Sequence, residues 1–215
     1  MIVLSVFEVC AHSVGSSVIG AFEKDGVSML CFWNINRSTI NESSPDREIR
    51  APSQVRSVTS NPTQPNILFV GFNNGDVRLL IDNDWSDSHM AHTQSVTTLS
   101  WSDSNPQMII SVSQDSTISA WRYSKSKQQV ERKNIYKTKK NYGCAKAISV
   151  ELEKFLLVAY DTNIFVIYEF PFSPIKSTGS DSSGKSELLP KRVFKHSFDV
   201  PFTAASALRT LLLKY

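Results

Sequence analysis

Cysteine is scarce in this 215-residue chain, and its three copies, Cys10, Cys31 and Cys144, are odd in number and far apart. They form no CxxC pair and no Cys/His metal spacing, which argues against a disulfide framework or a metal site and fits a reducing, cytoplasmic compartment. Each reads as a small buried hydrophobe. An excess of charge of one sign is lacking too: 23 Lys and Arg against 20 Asp and Glu leave +3, too little by itself to argue for a nucleic-acid partner. No apolar run approaches the roughly twenty residues that span a bilayer, which predicts a soluble protein without a membrane partner. The amino-terminal stretch MIVLSVFEV has no basic leader and is interrupted by Glu8, so it predicts a strand rather than a signal peptide. Sustained 3.6-residue periodicity is absent except at 202–213, a segment that fits helix or strand. Disorder throughout is excluded, because 41% of the residues are hydrophobic and a chain of this length can bury a sizeable core.

What is present is a repeat. Short strands with alternating apolar residues lead through turns rich in Asn, Asp and Gly to second strands that end on a large residue: 29–33 (MLCFW), 77–80 (VRLL), 118–121 (ISAW) and 164–168 (IFVIY). From Trp33 to Leu80 is 47 positions, from Leu80 to Trp121 is 41, and from Trp121 to Tyr168 is 47. Asn74 precedes Leu80 by six positions, as Asp115 precedes Trp121. The turn 73–76 (NNGD) supplies residues that tolerate the left-handed conformation, as a two-residue hairpin requires. A further strand stands before each hairpin, at 54–58, 95–101 and 145–150, and the outer strand is assigned to the poorly patterned segment leading into the next repeat. An antiparallel β-sandwich also has many short strands, but the 41 to 47 residue recurrence of a terminal aromatic or leucine favours an all-β propeller of four-stranded antiparallel blades.

The repeat at 109–121 (IISVSQDSTISAW) resembles one blade of the WD-repeat propeller family. In that family a histidine before the first strand, a Ser or Thr on the second, an Asp in the turn and a Trp on the third form a hydrogen-bonded chain. By position these are His92, Ser111 or Ser113, Asp115 and Trp121. An indole only donates, imidazole does both and a carboxylate accepts, so each group satisfies another that would be costly to bury alone. The same Ser, His and Asp invite a hydrolase reading, yet no Gly-x-Ser-x-Gly elbow surrounds either serine. The set therefore reads as a stability device, with no catalytic residue, no metal and no cofactor. His12, His89 and His196 have no ligand-like spacing and read as surface or loop residues.

Residues 24–27 (KDGV) leading to 32–34 (FWN), then 62–77 (PTQPNILFVGFNNGDV), then Ala91-His92 and Val96, are similar to the propeller of dynein intermediate chains. The Asp25 to Trp33 interval is two residues longer than that pattern, and no second glycine follows Gly71. That resemblance implies a dynein heavy chain as partner and a microtubule or cilium as setting.

Strands build the scaffold, so binding chemistry is expected in loops. Residues 124–144 carry Lys125, Lys127, Arg132, Lys133, Lys137, Lys139 and Lys140 against the single acid Glu131, with Tyr136 and Tyr142 interleaved. Read as a basic loop, it suits an acidic protein face, a microtubule or RNA, or is a solvated connector. Residues 173–192, rich in Ser, Gly, Lys and Pro, read as a disordered insertion. Trp85 is either an exposed contact residue or folded over its own blade. About four repeats and the start of a fifth at 193–215 fit in the chain, where a seven-bladed ring needs roughly 300 residues. The expectation is one incomplete propeller over 1–215 that scaffolds other protein subunits and takes no small-molecule substrate; the alternative is a nucleic-acid module using 125–140.

Overall fold

The computed structural model describes residues 5–11, 17–34, 44–102, 105–137, 144–151, 154–161, 164–171 and 191–197. They form four antiparallel sheets in which strands pair in chain order. The first holds β1 (Ser5–Ala11), β2 (Ser17–Lys24), β3 (Val27–Asn34) and β4 (Arg47–Arg50). The second holds β5 (Val55–Ser60), β6 (Ile67–Phe72), β7 (Asp76–Ile81) and β8 (Asp84–Trp85), and β9 (His89–Met90) also pairs with β7. The third holds β10 (Val96–Trp101), β11 (Met108–Ser113), β12 (Thr117–Ser124) and β13 (Gln129–Lys137). The fourth holds β14 (Cys144–Glu151), β15 (Lys154–Asp161), β16 (Ile164–Pro171) and β17 (Lys191–Ser197).

The first strands of the sheets come together. β5 lies against β1 and β2, β10 against β5 and β6, and β14 against β10 and β11. This is the arrangement of propeller blades, and it explains why β6 and β11 are buried at every residue: a sheet covered on both faces has no polar side to show. Ile19, Leu30 and Ile49 of blade 1 pack with Val55, Val70 and Phe72 of blade 2. Phe69, Val77 and Leu79 of blade 2 pack with Val96, Ile109 and Trp121 of blade 3. Each such side chain contributes about 1.5–3 kcal/mol on burial. Gly71 permits the closeness of blades 2 and 3, since a Cβ there would stand 2.6 Å from Cγ1 of Val96.

Hydroxyls stitch the blades as well. Ser28 Oγ accepts the Val55 N–H at 3.1 Å, Ser57 Oγ the Leu99 N–H at 2.9 Å and Thr59 Oγ1 the Trp101 N–H at 3.2 Å. Each links one blade to the innermost strand of the next.

Three expectations are corrected. The basic segment 124–144 is not a loop over Gln129–Lys137, which is β13, the outer strand of blade 3. Residues 193–197 do not begin a fifth blade, because β17 closes the fourth sheet. The turn after β6 has three residues with one positive φ, at Gly75 (86°); a two-residue turn with positive φ at both positions is Asp25-Gly26 (53° and 74°). β1 bears out the amino-terminal strand from Ser5 on, residues 1–4 lying outside the described residues, and Cys31, the cysteine whose side chain is described, is buried. Of the proposed insertion 173–192, residues 173–190 lie outside the described residues, as does 202–213, and Lys191 and Arg192 belong to β17.

Candidate functional site

The cluster is built on blade 3, where β11 and β12 set Ser111 opposite Ser119 and Ile109 opposite Trp121. Trp121 Nε1 donates to Ser111 Oγ at 2.9 Å, and Ser111 Oγ lies 2.8 Å from His92 Nε2. His92 Nδ1 lies 2.7 Å from Thr117 Oγ1, and the Thr117 hydroxyl donates to Asp115 Oδ1 at 2.6 Å. The indole can only donate and the carboxylate can only accept. Every proton in the chain therefore points one way, from Trp121 through Ser111, His92 and Thr117 to Asp115, which assigns the His92 proton to Nδ1. Asp115 also accepts the Thr117 N–H at 2.9 Å and, through Oδ2, the Thr93 N–H at 2.9 Å.

Burial lowers the affinity of His92 for a second proton; Asp115 opposes that shift and Arg132 reinforces it. Burial alone would raise the Asp115 carboxyl, but the hydrogen bonds from Thr117 and Thr93 outweigh it and hold the group ionised below its ordinary range. Neutral imidazole beside carboxylate is the protonation state that the chain of donors needs.

Sequence reasoning left Ser111 and Ser113 open, and the structure gives them different tasks. Ser111 is the link in the chain. Ser113 Oγ donates to the Gln94 carbonyl at 3.0 Å and accepts the Asp115 N–H at 3.2 Å, shaping the turn. Thr117 was missed, although an Asp followed two residues later by Thr is a readable turn signal. Gly75 was missed as a positioning residue. Its carbonyl accepts the Ala91 and His92 N–H groups at 3.2 and 3.1 Å, and a Cβ there would meet the carbonyl oxygen of His92.

Ser111, His92 and Asp115 stand in the order of a hydrolytic triad, but Ser111 is 0% exposed. Its oxygen already receives the indole proton, and Trp121 is packed edge-on against Phe69 and His89 at 5.6 and 5.9 Å. A substrate has no approach to that hydroxyl. His89 is thus an outer-strand residue of β9 that packs on Trp121 rather than a loose surface group.

Trp85 is folded inward rather than exposed: its Nε1 donates to the Arg50 carbonyl at 3.0 Å and its ring lies 5.7 Å from that of Phe72. Lys137 is exposed at the end of β13, and Lys139 and Lys140 lie outside the described residues. Tyr136, counted as a stacking residue for nucleic acid, is 3% exposed, and burial pushes its hydroxyl up to about 12. A groove of about 370 Å³ between blades 1 and 2 is lined by Glu23, Arg50, Ser53, Gln54 and Asn73. Its polar groups bind one another: Gln54 Nε2 to Glu23, Asn73 Nδ2 to Gln54 Oε1, and Ser53 Oγ to Asn73 Oδ1.

Four-stranded blades whose innermost strands pack side by side define a β-propeller. No family model and no curated protein sequence matches the chain. In three dimensions 689 solved chains match it. Among them is the Cps50 (Swd1) β-propeller domain of Myceliophteria thermophila, with TM-score 0.57 and 14% identity over 78% of this chain. The chain spans 56% of the length of that domain; at this identity the likeness is one of fold.

Proposed function

We propose that this protein is a non-catalytic scaffold of the WD-repeat type that holds protein subunits together in a larger complex. The observation that carries the reading is the mutual hydrogen bonding of His92, Ser111, Thr117 and Asp115, with His92 and Ser111 buried and Thr117 and Asp115 half-buried. His92, Ser111 and Asp115, which have the chemistry of a catalyst, are committed to holding a blade. The test is affinity purification of the full chain with cross-linking. Stable protein partners are the expected result, and their absence overturns the reading. A serine-reactive probe should leave Ser111 unlabelled; labelling would make the protein a hydrolase instead.

The finer reading is a subunit like a dynein intermediate chain, working in the cytoplasm at microtubules or in a cilium. It is supported by the matching residues at 24–34, 62–77 and 91–96. Recovery of a dynein heavy chain among the partners is its test, and a partner set without one removes it.

A further inference from the structure

We propose that the free edge of β13 takes up an acidic, extended segment of a partner protein as an added strand. This rests on the scaffold reading and names the chemistry of one partner. β13 runs for nine residues, Gln129–Lys137, and is last in its sheet. The other outer strands with described side chains are shorter, four residues in β4 and two in β8. A row of backbone groups this long is a template for strand addition, where main-chain pairing gives affinity and flanking side chains give selectivity.

Charge says which segment. Glu131 pairs with Lys133 at 2.5 Å, and Lys133, Lys127 and Arg122 all help to keep it ionised. Arg132 is tied to the Ala91 carbonyl at 3.1 Å. Glu131 thus offsets one of the two cations in the middle of the strand, while Lys125 and Lys127 in the turn before it and Lys137 at its end are exposed and form no salt bridge among the described residues. The two positive ends lie roughly 27 Å apart, from nine residues at about 3 Å each. A matching segment carries acids at both ends and alternating β-formers between them.

The same edge excludes a second copy of itself. Facing lysines repel; the bulge opposite Ala120 and Trp121 and the cap on the Ile135 N–H by Asn134 Oδ1 at 2.9 Å shorten the row open to any added strand. Nucleic acid is disfavoured by the burial of Tyr136, which removes a stacking surface.

The test uses the full chain and a fluorescein-labelled peptide, Glu-Glu-Val-Thr-Val-Thr-Val-Glu-Glu, read by anisotropy. Binding is expected to weaken with salt, to fall about tenfold in the triple variant K125E/K127E/K137E, and to be lost when both threonines of the peptide become proline. Because all three lysines are exposed, the variant should keep its melting temperature; if it does not, recovery of binding with Lys in place of the four peptide glutamates shows that the surface survives. Equal binding of the proline peptide, no binding of the first peptide, or preferential capture of a single-stranded RNA each overturns the proposal. The scaffold reading survives those outcomes if affinity purification still recovers partners.

Discussion

Blades 2 and 3 are built on one register, 41 residues apart, and solve the same packing problem in opposite ways. Where blade 3 has His92, Ser111 and Trp121, blade 2 has Ala51, Val70 and Leu80, all buried in one apolar cluster. The turn hydrogen bonds repeat: Asn74 Oδ1 accepts the Asp76 N–H at 3.1 Å, as Asp115 Oδ1 accepts that of Thr117 at 2.9 Å. Backbone bonds repeat too, with Asn73 N–H to Gln54 matching Gln114 N–H to Ser95. The backbone geometry therefore does not depend on the polar chain. Apolar groups at the positions of His92, Ser111 and Trp121 are a complete solution, with Asn74 and Asp76 standing where blade 3 has Asp115 and Thr117, and so is a fully satisfied polar set; an incomplete polar set is the costly one.

Breaking the joint between the two blades has the largest expected effect. Gly75→Ala puts a side chain at φ +86° and against the His92 carbonyl, so a loss of about 3 kcal/mol or more is expected in urea unfolding. Next is Ser111→Ala, which strands both the indole N–H and the imidazole acceptor at a cost of about 2–3 kcal/mol. The same change should cost about 1 kcal/mol less in a Trp121→Phe background, because one stranded group is then gone; a strictly additive double mutant would show that the chain is not coupled.

Acid sharpens the comparison further, since blade 2 has Ala51 and Asn74 where blade 3 has His92 and Asp115. Folded His92 binds a proton less readily than the unfolded chain does. Its stabilisation is complete above about pH 6.5 and declines as pH falls below that value toward the lowered folded pKa. Asp115, held ionised in the fold, adds a second loss once pH falls below about 3.9. Melting temperature measured between pH 8 and 3 should show both, and a His92→Gln variant should lack the first. The smallest change is a gain. Ser116 sits at φ 63° where blade 2 has Gly75, so Ser116→Gly should raise stability by about 0.5–1 kcal/mol, seen as a higher denaturant midpoint.

The sequence disclosed the third blade best because its period, turn and tryptophan agree. Its outer strand was hidden by physics rather than by chance. Val130 and Tyr136 are six apart, which an unbroken strand would place on one face. The bulge instead sets Val130 beside Tyr123 and Tyr136 beside Ile118, on opposite faces. With Lys and Glu filling the solvent side, no two-residue alternation survived to be read. The choice between Ser111 and Ser113 likewise depended on where the strand ends and the turn begins, which spacing alone does not fix. Trp85 was ambiguous because its partners, the Arg50 carbonyl and Phe72, are distant in sequence.

The hydroxyl stitches between blades bear on how the molecule opens. The Leu99 amide proton is held by a serine of blade 2, and the Val55 amide by a serine of blade 1. Either proton is freed when the two blades part at that bond, whichever of them moves. Amide exchange at Val55 and Leu99 thus reports on the seams between neighbouring blades rather than on either sheet by itself.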